Sequence, residues 1–157
     1  AERDARHLPR ARRGRRVLIG DHDPMTFDVS QYELEDTGTL TLKNARGDDD
    51  LLADGSPVTV EIYSPGSPQG VKALHKSGRA AQLRIFRSMR GEFDPRDAEN
   101  ADREQVDKLV GFTKAFSANW PVSPAATFGN PRLVYINRQI DEYIGKLGNF
   151  SKAPSPA

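Results

Sequence analysis

Cysteine is absent from the chain, which excludes both a disulfide framework and a thiolate zinc site and fits a reducing compartment. Long apolar runs are absent as well. VLIG, starting at Val17, is too short for a membrane span or a signal-peptide core, so the expectation is a soluble, intracellular protein with no membrane partner. Charge of one sign is also lacking. A net +1 over 157 residues gives no global pull toward nucleic acid or an acidic membrane. Apolar residues make up only 36% and mean hydropathy is −0.66, so the core should be modest and confined to one domain.

The charge that is present is unevenly placed. The first 24 residues hold seven arginines and four acids, whereas from Met25 onward acids outnumber Lys plus Arg by two. Residues 1–24, with their arginine runs, glycines and prolines, read as a disordered basic arm, and Met25 looks like a natural start. The domain is expected over residues 25–150. Residues 151–157, SKAPSPA, read as a loose tail.

Within the domain, TLTLK from Thr39 and VTVEIY from Val58 alternate with period two and predict an antiparallel β-hairpin. The connection between them is rich in Gly, Asp and Ser. Its acids, Asp48 to Asp50, lack the spaced ligands and distal glutamate of a calcium loop, so a solvated turn is expected. Ser67 and Pro68 are an N-cap and a first helical residue, and a helix should begin there. Along it, Val71, Leu74, Ala81, Ile85 and Met89 recur at helical spacing, interrupted by Gly78, where a glycine would let another element approach. Lys72, Lys76, Arg79, Arg84, Arg87 and Arg90 occupy other faces as a candidate docking surface for an acidic partner. Charge reversal at Arg84 and Arg87 should then weaken partner binding without harming the fold.

After the break GEFDP, a second helix is predicted from Asp97 to Ser117, antiparallel to the first. Its acidic first turns suit the helix dipole, and its stripe is Val106, Leu109, Val110, Thr113 and Phe116. ANWPVSPAATFGN reads as a loop or short turn, with Trp120 as a core plug. Asn130 and Pro131 start a third helix with the stripe Leu133, Ile136, Ile140, Ile144 and Leu147, ending at Gly148. The fold class is therefore α+β, a β-hairpin followed by a small bundle of three or more amphipathic helices. Val71, Leu74, Ile85, Leu109, Phe116, Trp120, Leu133, Ile136, Ile140, Ile144 and Phe150 are the expected core.

Catalytic patterns are missing. Of the three histidines only His75 lies on a predicted element, and the DHDP around His22 has no distant ligands to close a metal site. The carboxylates of Glu33, Glu35, Asp36, Asp141 and Glu142 are neighbours in sequence and flank no recognisable substrate site. Neither GRRVLIG nor SPGSPQG has the residues of a phosphate loop. The expectation is a protein that is not an enzyme and has no cofactor.

Four segments resemble the tail assembly chaperones of long-tailed, siphovirus-like bacteriophages and prophages. They are VTVEIYSPGSP at Val58 to Pro68, DAENADREQVDKLVGFTKAF at Asp97 to Phe116, the Asn119–Trp120 pair, and the closing NPRLVYINRQIDEYIGKLGNF. The likeness covers roughly Thr39 to Phe150, and the arm before Met25 has no counterpart in that family. It implies a non-catalytic protein of the host bacterial cytoplasm that binds the tape-measure protein, keeps it soluble, helps recruit tail-tube subunits and leaves before the tail is complete. It also implies that Gly148, Asn149 and Phe150 anchor the end of the domain. A longer frameshifted form and a homo-oligomer stay open. Two rivals from other classes are a structural virion protein of the tail tube or head-tail joining region, favoured by more strands, and a nucleic-acid-binding regulator using the arm and the basic helix. Little nucleic-acid binding is expected, because no aromatics interleave with the basic residues.

Overall fold

The computed structural model describes residues 29–152 except Ala53 and Ala118, so the basic arm and residues 153–157 lie outside the described residues. Strand β1 (Thr37–Thr41) pairs antiparallel with β2 (Thr59–Tyr63), with Leu40 opposite Val60. The alternation has the predicted consequence. Val60 and Ile62 are fully buried, while Thr59, Glu61 and Tyr63 on the other face stay partly open. The wide connection is itself folded by side-chain-capped turns. Asn44 Oδ1 accepts from the Arg46 and Asp48 amides, and Asp54 Oδ1 accepts from the amide and hydroxyl of Ser56.

Helix α1 (Pro68–Met89) begins at the predicted cap, where the Gly70 amide donates to Ser67 Oγ at 3.0 Å. Ser67 Oγ donates in turn to the Ser64 carbonyl at 2.7 Å, and the Ser67 amide donates to Ser64 Oγ. Both serines are buried, and a Cβ at Gly70 would overlap the Ser64 carbonyl. Only glycine lets the first turn of α1 press on the end of β2.

Helix α2 (Asp97–Phe112) is shorter than predicted. It passes without a loop into a third strand, β3 (Thr113–Phe116), which pairs antiparallel with β2, so the sheet order is β1-β2-β3. The expected hairpin is thus a three-stranded sheet, and Thr113 and Phe116 are strand residues. Thr113 makes the switch: its Oγ1 donates to the Leu109 carbonyl at 2.8 Å while its backbone is already extended. The register shift opposite Glu61 and Ile62 leaves Lys114 as an extra residue, and its ammonium reaches Glu61 at 2.9 Å. That contact holds the Glu61 carboxyl below its usual range and the Lys114 ammonium above its own.

The expected loop after β3 contains a short helix, α3 (Pro124–Phe128), capped by Ser123. Trp120 sits at the margin of the core, half-buried. It stacks on Phe116 with ring centroids 5.0 Å apart and donates from Nε1 to Thr127 Oγ1. Asn130 caps a 3₁₀ turn (Pro131–Leu133) that leads into α4 (Val134–Gly145). Ile136, Ile140 and Ile144 are buried as predicted and Leu133 partly so, while Leu147 of the old stripe is exposed because a second 3₁₀ turn (Leu147–Phe150) redirects the chain. Phe150 is buried instead, edge-on to Tyr143.

One core joins these pieces. It comprises Leu42, Val58, Val60 and Ile62 from the sheet region, Leu109 and Phe112 from α2, Phe128 from α3, the three isoleucines of α4, and Phe150. Each large side chain contributes about 1.5–3 kcal/mol on burial. Helix α1 supplies only Ala73 to this core. It is an outer layer laid on α2.

Helix α4 also guards the outer side of β1. Gln139 accepts from the Lys43 amide and donates to the Lys43 carbonyl, both at 2.8 Å, and Tyr143 donates its hydroxyl to the Thr39 carbonyl at 3.2 Å. Nearby, the two ends of the described region meet. Leu34 bridges Ser151, and Lys152 Nζ donates to the Ser30 carbonyl at 2.7 Å. Ser151 and Lys152, expected in a loose tail, are therefore tied to the domain.

Two outcomes follow from this packing. Gly70→Ala forces a Cβ into backbone and should destabilise by about 3 kcal/mol, measured by urea unfolding. Burial raises the Tyr143 phenol above its ordinary 10.0. Stability from a phenol raised on folding is full below the unfolded value and lost as pH climbs toward the folded one. Unfolding midpoints measured across about pH 8 to 11 should fall in the native chain, and Tyr143→Phe should lack that component of the loss.

Candidate docking face

Helix α1 has three different sides. The side toward α2 is built from small residues: Ala73 is buried, and Ser77, Ala80 and Ala81 are partly so. Gly111 of α2 completes the approach, since a Cβ there would come within 2.9 Å of the Ala73 Cβ. Ion pairs span the same contact. Lys76 lies 3.9 Å from Asp107, and Arg84 Nη2 lies 2.7 Å from Glu104 Oε2, off the hydrogen-bond axis. Residues 73, 76 and 84 thus meet 111, 107 and 104, so the helices run antiparallel, as the sequence predicted.

The second side carries the apolar stripe, and here the sequence reading is overturned. Val71, Leu74 and Ile85, expected in the core, are 39%, 41% and 59% exposed, and Met89 is 78% exposed. Helical periodicity identified the stripe, but the close approach of Ala73 and Gly111 set which side turns inward. Phe86, 49% exposed, extends the same patch. Gly78 lies within it, and a Cβ at that position would meet nothing within 4 Å, so the element expected to approach there is not present among the described residues.

The third side is basic. Lys72, Arg79, Arg87 and Arg90 are exposed, and among the described residues none has an acidic side chain within ion-pair distance. Helix α1 contains no Asp or Glu at all. The six basic residues singled out from the sequence thus divide. Lys76 and Arg84 are engaged by α2, the former loosely, and Arg84, at 33% side-chain exposure, is not the free surface charge it was expected to be.

Between α1 and α2 runs a groove of about 370 Å³ with Ala73, Ala80, Val110 and Gly111 in its lining and Lys72 and Asp107 among its polar groups. No group of three or more His, Asp or Glu able to hold a metal occurs among the described residues. No helix among them is long and apolar enough to cross a membrane. No family model matches the chain, and searches of curated proteins and of solved structures return no match.

The sequence reading assigned the apolar stripe of α1 to the core and missed that it faces outward beside the basic row. A signal for this was available. Ala73, Ser77, Ala80 and Ala81 form a small-residue strip on one side of the helix, and Gly111 is a glycine inside a predicted helix; both are marks of close helix packing. Arg84→Glu places like charge beside the half-buried Glu104 and should destabilise by about 1–3 kcal/mol, whereas Arg87→Glu should stay within about 0.5 kcal/mol of the parent in the same urea titration.

Proposed function

We propose that the chain is a non-catalytic tail assembly chaperone of a long-tailed phage or prophage. It acts in the host bacterial cytoplasm, binds the helical tape-measure protein and helps recruit tail-tube subunits. The observation that carries this reading is the outward apolar stripe of α1. Val71, Leu74, Ile85, Phe86 and Met89 are exposed together along one helix, whereas other exposed apolar residues such as Leu51, Val122 and Leu147 lie apart in the sequence on different segments. An amphipathic helix presented in this way suits a partner whose own apolar stripe must be kept from water until assembly. Support also comes from the resemblance of Val58 to Pro68 and Asn130 to Phe150 to that family.

A second reading draws on the row of Lys72, Arg79, Arg87 and Arg90, unpaired among the described residues, which would suit a nucleic-acid-binding regulator. Co-expression with the product of the neighbouring gene separates the two. If that gene encodes a very long helical protein, the chaperone reading expects the present chain to keep it soluble and to co-purify with it. Failure to form any complex would sink that reading, and steep salt-dependent retention on DNA would support the second.

A further inference from the structure

We infer that the outward side of α1 takes an acidic amphipathic helix laid along it, crossing closest at Gly78. The inference rests on the chaperone reading and specifies the chemistry of the segment bound. At about 100° per residue, Val71, Leu74, Ile85, Phe86 and Met89 fall within an arc of roughly 120°, and Gly78 lies near its middle. From Val71 to Met89 the stripe runs roughly 27 Å, five helical turns. Lys72, Arg79 and Arg90 lie along one margin of this arc, with Arg87 just behind them and no acid anywhere in the helix. A partner with leucine-like residues on one stripe and glutamates beside it would satisfy both rows together.

Gly78 favours a helix over a less shaped occupant. It opens a gap next to Leu74, Ala81 and Gln82 that a Cβ would leave unfilled among the described residues, so a partner backbone or a side-chain knob can enter there. A fluid lipid surface gains nothing from such a gap. A second copy packed antiparallel would set one row of Lys72, Arg79 and Arg90 against the other, and like charges facing across a helix pair are unfavourable. These arguments commit the face to a hetero-partner of opposite charge.

The test uses the full chain and three synthetic helical peptides of about six turns. One has a leucine stripe flanked by glutamates, one has the glutamates replaced by lysines, and one keeps the glutamates but has serines in the stripe. The first should bind, and the other two should bind roughly tenfold more weakly or less. Arg79→Glu combined with Arg90→Glu should reverse the preference between the first two. Gly78→Leu should weaken the first peptide roughly tenfold, while the unfolding midpoint holds or rises because a Cβ there meets nothing within 4 Å among the described residues and leucine favours the helix over glycine. Equal binding of all peptides, or no effect of Gly78→Leu, would overturn the inference. So would a dimer in light scattering that Leu74→Asp dissolves, or competition by anionic phosphatidylserine vesicles at equal strength. If the tape-measure-like neighbour binds but ignores these substitutions, the chaperone reading stands and this face is wrong. If the acidic peptide binds and the neighbour does not, the reverse holds.

Discussion

The position of α1 depends on the buried junction of Ser64, Ser67 and Gly70. Three hydrogen bonds made by serine side chains among these residues tie the end of β2 to the first turn of the helix, and the missing side chain of Gly70 allows the two backbones to touch. A polar group buried without a partner costs about 1–3 kcal/mol, so this junction is strongly specified once formed. The direction in which α1 leaves the sheet follows from it. So does the choice of α2 as its neighbour, because the small residues of α1 are then brought opposite Gly111.

That arrangement separates two tasks that amphipathic helices usually combine. The isoleucines of α4 close the core under the sheet, with Leu109 and Phe112 of α2 beside them. Helix α1 adds little to this core and keeps most of its large side chains outside. The electrostatics follow the same division. Lys114 with Glu61 and Lys108 with Asp141 link elements around the core, and Lys76 and Arg84 fasten α1, while the remaining bases of α1 stay unpaired among the described residues.

Much of this was legible in the sequence wherever local chemistry decides the outcome. Ser67 with Pro68, the alternation of VTVEIY and the spacing of Ile136, Ile140 and Ile144 each imply one structure, and that structure is found, while Asn130 with Pro131 cap a 3₁₀ turn in front of α4 rather than α4 itself. The failures share a cause. Thr113 and Phe116 are three apart, a spacing that suits a continuing helix, and only pairing with β2, some fifty residues away in sequence, makes them strand. Val71, Leu74 and Ile85 were assigned to the core because periodicity marks a stripe without naming what covers it. Their competitors for the inner side, Ala73, Ser77 and Ala80, carry almost no hydropathy signal, since small residues act through close approach rather than transferred area.

The grip of α4 on the outer side of β1 has a further consequence. Just past the end of β1, Gln139 occupies the amide and carbonyl of Lys43 as a neighbouring strand would, and on β1 itself Tyr143 takes the carbonyl of Thr39. At the opposite edge, β3 is four residues long and interrupted by an irregular register. A sheet with α4 laid against one edge and a short, irregular strand at the other is a poor template for adding strands, which is how many rings, tubes and fibrils grow. The sheet is thereby a poor route for drawing this chain into a polymer.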